Sequence, residues 1–249
     1  CKNNEVDFLD QFAKEGIEPV LEKAFDQFAK DTDAYENRMV MKREAIADRG
    51  IWTAKKRYIL NVYDNEGVRY AEPKIKVMGI EAVKSSTPQV CREAMKNMFK
   101  IIVSGDEKKT QDAIGTFKNY FKSLSPDKIA FPRGVSDITS YADKHHIFSK
   151  GTPIHSRGAL LYNYYVKKDN LDKRYRLIQN GDKIKFIYLN KRNAMRQNVI
   201  SFPDDKLPEE LGLHNYIDYD LQFQKYIPSV SNLLNFKWFN IVIWMVVSS

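Results

Sequence analysis

Four consecutive residues, Lys55, Lys56, Arg57 and Tyr58, put three cations and a phenol at the head of an apolar run, "WTAKKRYILNVYD" (52–64). Read as one strand of period two, Trp52, Ala54, Lys56, Tyr58, Leu60 and Val62 share one face and Lys55, Arg57 and Asn61 the other, so Lys56 and Tyr58 point the same way. Two chemistries fit: a solvated strand end whose cations reach into water, or a cation and a hydroxyl gripping a polyanion. A second group, Lys84, Ser85, Ser86 and Thr87, precedes Pro88 at a helix start. Free N–H groups, the positive end of the helix dipole and three hydroxyls are the parts of a phosphate site, although most capped helix starts bind only water. A third group interleaves Lys150, His155 and Arg157 with Tyr162, Tyr164 and Tyr165 in "SKGTPIHSRGALLYNYYVKK" (149–168). Cations among aromatics suit a surface that tracks a nucleic-acid backbone; the tyrosines equally suit sheet packing.

Other residue types offer less. "DTDA" (31–34) imitates a paired-aspartate metal site, but it follows a helix ending at Lys30 with no apolar strand on either side, and reads as a helix-terminating acidic loop. Asp64 and Glu66 belong to a hairpin turn with Gly67 available for positive φ, and read as turn residues rather than catalytic carboxylates. There is no GxxxxGK[ST] loop, dinucleotide fingerprint, GxSxG elbow or HExxH pair. The two cysteines, Cys1 and Cys91, lie in no metal-ligand spacing and cannot form a disulfide framework, so no structural metal is expected.

The elements that must carry these residues alternate helix and strand. A helix is predicted over 6–30 with a bend at Pro19, then strands at 38–47, 54–63 and 68–79, the last two joined at Asp64–Gly67. The stretch Ala47 to Ile51 reads as a loop. Thr87 as cap, Pro88 at the first helical position, apolar Val90, Ala94, Met98, Phe99 and Ile102, and a Ser104-Gly105 stop define a helix; another follows at 107–124 with Ile114, Phe117, Phe121 and Leu124 inward. Residues 144–196 read mostly as strands and turns, with a hairpin over 174–189 around Asn180-Gly181, Ile184, Phe186 and Tyr188 on one face and Lys183 and Lys185 on the other. A last amphipathic helix is expected at about 216–234. This order predicts an α+β chain.

Charge is concentrated. The 249 residues carry +8, yet 144–196 alone hold thirteen Lys/Arg against Asp169, Asp172 and Asp182, a net +10 that leaves −2 for everything else. Such a segment is the electrostatic footprint of a phosphate-binding surface. The start at Cys1 has neither the basic region nor the apolar stretch of a signal peptide and reads as a piece of a longer chain. "WFNIVIWMVV" (238–247) is uncharged, but at about half the length of a membrane span it implies no membrane partner.

The run from Met41 to Gln89, "MKREAIADRGIWTAKKRYILNVYDNEGVRYAEPKIKVMGIEAVKSSTPQ", resembles the palm-to-thumb region of replicative family B DNA polymerases of T-even-like tailed bacteriophages. The resemblance extends through "VDFLDQFAKEGIEPVLEKAF" upstream and "PIHSRGALLYNY" and "DYDLQFQKYIPSVSNLL" downstream. It implies the end of a palm (1–83) followed by a mixed helical and β-hairpin thumb (84–249). It implies that Lys56 and Tyr58 contact the primer–template near the growing end, and that Glu44 is a carboxylate beside the family's metal site. It further implies DNA synthesis with Mg²⁺ in the complete enzyme, in the cytoplasm of an infected host cell. The family's two metal-binding aspartates lie in upstream motifs, so this chain is expected to be inactive without an upstream polymerase half carrying exonuclease, fingers and catalytic palm. The tail that binds a sliding clamp in the family is not seen in "NIVIWMVVSS". The alternatives are a separately encoded subunit of a split polymerase and a stand-alone basic DNA-binding protein.

Overall fold

The computed structural model describes residues 2–143, 145–203, 206–226 and 239–248. Its helices are α1 (Lys2–Phe12), α2 (Glu18–Asp31), α3 (Gln89–Ser104), α4 (Glu107–Lys122), α5 (Pro126–Ile129), α6 (Ile154–Lys168) and α7 (Tyr219–Gln224). Its strands are β1 (Val40–Ala54), β2 (Arg57–Asn65), β3 (Val68–Met78), β4 (Phe131–Gly134), β5 (Lys183–Tyr188), β6 (Val199–Phe202) and β7 (Phe239–Ser248). The α+β class read from the sequence is the class observed. Two compact units result: Cys1–Gly79 with Phe99–Gly105 and Leu233–Ser249, and Ile80–Met98 with Asp106–Asn232.

In the first unit the bend expected at Pro19 takes the form of a π turn, Ala13–Ile17, between α1 and α2, with the Glu18 N–H reaching Ala13 C=O. Proline lacks the N–H that an α-helix would donate four residues back, and a single widened turn absorbs the mismatch. Helix α2 stops at Thr32, whose hydroxyl donates to Phe28 C=O at 2.8 Å, and Asp33 turns the chain with φ 53°. "DTDA" is thus the loop that ends a helix.

The sheet of this unit is antiparallel in the order β3-β2-β1-β7. Strand β1 runs seven residues past the predicted end, and Ala47 to Ile51 is strand rather than loop. Irregularities between Ile46 and Arg49 interrupt the strict alternation that would have announced it. Gly50 is required there, because a Cβ would lie 2.7 Å from the Leu60 and Trp52 side chains. Ala45, Ala47, Tyr58, Leu60 and Val62 form the buried cluster, with Trp52 and Tyr70 against it. The Asp64–Gly67 turn has the expected form: Glu66 and Gly67 are at φ 52° and 84°, and Asp64 Oδ1 accepts from Gly67 N–H at 3.0 Å.

The second unit holds the sheet β4-β5-β6. Two expectations fail here. Residues 154–168 are helix α6, not strand, because small residues let one helical face sit directly on β6: Ser156, Gly158, Ala159, Leu161, Tyr162 and Val166 are buried, and a Cβ on Gly158 would meet Ser201 Oγ at 2.4 Å. The hairpin over 174–189 does not form either. Gly181 is at φ 88° as a turn requires, but β5 pairs with β4 and β6. Residues 174–179 instead lie along α6, with Asn163 Oδ1 accepting from Ile178 N–H and Asn163 Nδ2 donating to Ile178 C=O, both at 2.8 Å. An amide side chain satisfies the backbone groups that a hairpin partner would have used. The alternation along β5 holds, with Ile184 and Phe186 buried and Lys183 exposed. Of the helix expected at 216–234, only α7 falls within the described residues before 227, and it begins at Tyr219. Phe117, Phe121, Phe131, Phe186, Phe223 and Tyr226 make the aromatic core, the Phe131 and Tyr226 rings stacking at 4.4 Å. Cys91 is buried in this unit as a small apolar residue; burial pushes its thiol up to about 12.

Candidate nucleic-acid interface

The four residues that opened the sequence reading do not form one strand. Cross-strand pairs Trp52↔Tyr58 and Ala54↔Arg57 close a hairpin whose tip is Lys55-Lys56, and Lys56 sits at φ 61°. The period-two assignment of Lys56 and Tyr58 to one face is therefore corrected: a turn lies between Trp52 and Tyr58, and those two share a face as neighbours across it, rings 6.4 Å apart. Lys55 and Lys56 are exposed at the tip, whereas Tyr58 is 4% exposed. A lysine in the left-handed region has no intrinsic reason to be there. What adjoins it is Gly79, at φ 66°, whose missing Cβ would stand 2.3 Å from Lys56 C=O. Burial, and then the charge of Glu44, holds the Tyr58 hydroxyl above its ordinary range, so it stays a neutral donor.

Glu44 lies on β1 with its carboxylate in an ion pair with Lys76 of β3, and Lys76 Nζ also donates to Asn65 Oδ1 at 2.7 Å. The neighbouring carboxylate is more deeply held. Asp64 accepts from Arg43 Nη1 at 2.6 Å and from Arg69 Nε at 3.2 Å, and Arg43 Nη2 reaches Asp10 at 2.7 Å. Asp64 is thus a buried ion-pair centre as well as a turn residue. Glu18, Glu44 and Glu66 line a depression of about 660 Å³, interspersed with Lys14, Lys42 and Arg43. Every acid there faces a cation, and among the described residues no three His, Cys, Asp or Glu are grouped to hold a metal ion. These residues do not fit Mg²⁺: a divalent ion would have to displace Lys76 from Glu44 or two guanidinium groups from Asp64.

In the second unit, Lys84, Ser85, Ser86 and Thr87 form the turn before α3. Lys84 pairs with Glu81 at 3.0 Å, Thr87 is 4% exposed, and Pro88 C=O accepts from Arg92 N–H at 3.0 Å, which starts the helix at the expected proline. Arg133 Nη1 donates to Ser86 C=O at 3.2 Å. Ser85, Thr87, Gln89, Arg92, Lys128 and Lys185 line an open depression of about 530 Å³, into whose rim Glu93 and Asp127 also enter. Arg92 Nε is buried there without a hydrogen-bond partner.

Lys150 is exposed in the turn ahead of α6, and His155 and Arg157 are on its first turn. Arg157 stacks its guanidinium 5.6 Å from the Phe148 ring centroid. Burial, and secondarily the charge of Arg133, pushes the His155 imidazole below its ordinary value. Tyr188 feels Arg157 and Arg133 as well, although burial dominates and raises it. The interleaved tyrosines separate around the helix: Tyr162 is core, its hydroxyl donating to Arg176 C=O at 3.3 Å, while Tyr164 is 46% exposed. Arg133 touches the Ser86 carbonyl and biases His155, and so links the helix-start turn with α6. Sequence reasoning missed it, and missed Arg92 and Lys128, because each stands alone in an apolar or mixed context and only the fold gathers them.

Residues 16–237 match the family model described as DNA polymerase family B. The chain belongs to the family B DNA polymerases. It is 34% identical over 236 residues to the DNA-directed DNA polymerase of Escherichia phage RB69 and 33% identical over 235 residues to that of Enterobacteria phage T4, each alignment covering 90% of this chain. It spans about a quarter, 26%, of the length of these curated relatives. The resemblance drawn from Met41 to Gln89 thus holds over nearly the whole chain. Every candidate residue of this family B chain, from Glu44 to Arg157, lies inside the matched region, whereas strand β7 begins at Phe239, beyond it. Among the described residues no helix is long and apolar enough to cross a membrane.

Proposed function

We propose that this chain grips the primer–template duplex during template-directed DNA synthesis, with 1–83 the end of the palm and 84–249 the thumb. The observation that carries this reading is the hairpin tip, where Lys55 and Lys56 project into solvent in a fixed conformation above buried Tyr58. Two ammonium groups on a rigid turn contact phosphates by position and charge, so the grip reads duplex shape and not base identity. Arg57, the Lys84–Thr87 turn, Lys150, His155 and Arg157 supply further backbone contacts, and the +10 segment wraps the duplex with them. Primer–template DNA is the partner; an upstream polymerase half brings the paired aspartates that hold Mg²⁺ and do the phosphoryl transfer. Glu44, committed to Lys76, supports that site as a neighbour rather than as a ligand. Sliding-clamp contact is no part of the proposal.

The test has two arms. The purified chain with primer–template, nucleotides and Mg²⁺ should give no extension above blank, because its sheet carboxylates are neutralised by Lys76, Arg43 and Arg69. In a chain completed with its upstream half, Lys56→Ala should erode discrimination between matched and mismatched primer ends, whereas Lys183→Glu with Lys185→Glu should weaken all duplexes about equally. Extension by the chain alone would overturn the division of labour. Unchanged rates for Lys56→Ala from both termini would reduce the hairpin tip to a solvated turn.

A further inference from the structure

The sheet β3-β2-β1-β7 has two outer strands of opposite character. Strand β3, "VRYAEPKIKVM", carries Arg69, Glu72, Lys74 and Lys76 and has Pro73 in mid-strand, devices that keep an open edge from pairing with another chain. Strand β7, "FNIVIWMVVS", has no charge, proline or glycine in ten residues, and six of the ten are Val, Ile or Trp. It pairs antiparallel with β1 from Val40↔Ser248 to Gly50↔Phe239, which leaves its other edge as the end of the sheet. It also lies wholly outside the 16–237 match, so nothing in the family relation accounts for it.

We infer that the free edge of β7 pairs antiparallel with β7 of a second copy of this chain, joining two four-stranded sheets into one. A second copy is the occupant the observations favour. Two identical strands run antiparallel only about a two-fold axis, so the contact is isologous and closes after two copies. An axis between Ile243 and Trp244 sets Val242 opposite Met245 and Ile241 opposite Val246, apolar and β-branched partners without a like-charge pair. The β3 edge, with its four charges and proline, offers no such surface, so growth stops at eight strands. Dimerisation requires nothing of the DNA reading and stands or falls separately.

Sedimentation equilibrium on the full chain, without DNA, should show reversible, concentration-dependent doubling from the 29.0 kDa monomer. Ile243→Pro, which removes one strand N–H, and the double variant Ile241→Lys with Ile243→Lys should each abolish the doubling. Should the proline variant unfold, seen as loss of a cooperative urea transition, the lysine variant decides. Hydrogen exchange on the unaltered chain gives an arm free of mutations. In the dimer, β7 amides are protected along both edges, and dilution should release only the set not bonded to β1. A monomer at every concentration, a dimer untouched by both variants, or pelleting fibres with no discrete dimer would each overturn the inference.

Discussion

Asp64 is 1% exposed and lies between the guanidinium groups of Arg43 and Arg69, with the Gly67 N–H as a third donor. A pair like this contributes little net stability over an apolar replacement, but removing one partner strands the other in a dry site. Asp64→Ala should therefore cost about 3–5 kcal/mol by urea denaturation. Arg43→Met with Asp64→Leu should recover much of that loss, since no uncompensated charge remains. His155 makes a pH prediction. Its folded pKa lies below its ordinary value of about 6.5, chiefly through burial, so the unfolded chain takes up this proton first as pH falls. Stability from this group is complete above about pH 6.5 and declines as pH drops toward the lower folded value. Subtracting the stability–pH profile of His155→Gln from that of the unaltered chain should leave a fall in that window; a flat difference would show that His155 is not desolvated.

At the scale of elements, the β1–β2 hairpin tests how a functional turn is held. Gly79 abuts Lys56 C=O, a backbone atom that cannot move aside as a side chain could. Gly79→Ala should cost about 1–3 kcal/mol and displace the Lys55-Lys56 tip, weakening duplex binding. Gly67→Ala is the control: φ is 84° but nothing lies within 4 Å of the added Cβ, so only conformational strain of about 1–2 kcal/mol applies, with no effect on DNA. The same hairpin shows what the sequence discloses and what it hides. Strand β3, the Asp64–Gly67 turn and the helix opened by Pro88 were legible because glycine and proline mark them chemically. The Lys55-Lys56 turn was hidden because two lysines carry no turn signal; Gly79, more than twenty residues away in sequence, leaves room for it. Helix α6 was hidden for a related reason, its burial resting on Gly158 and Ala159 closing against β6 and not on a row of large apolar residues. Among the candidate site residues, the cations at the tip were legible as chemistry but not as geometry, and Arg133 was legible as neither.

Across the molecule, the decisive quantity is the charge of residues 144–196 and how much of it is free to meet phosphate. Of its thirteen cations, Arg174 is paired with Glu210 and Arg176 with Asp182, while Lys183, Lys191, Arg192 and Arg196 stand exposed. Pairing matters because a cation already neutralised by a carboxylate releases no counterion when it meets DNA. If about six phosphates are neutralised, the logarithm of affinity should fall with the logarithm of salt concentration at a slope near −5, from about −0.9 for each contact on duplex DNA. Lys183→Glu with Lys185→Glu should bring that slope toward zero by about two units, one for each lost contact, and do so alike for blunt duplex and for a primer end. Lys56→Ala should shift it by about one unit and act on the primer end alone. Titrating fluorescent duplexes at several salt concentrations separates these outcomes. A slope near zero for the unaltered chain would mean that the basic segment binds no polyanion, and that its +10 serves solubility alone.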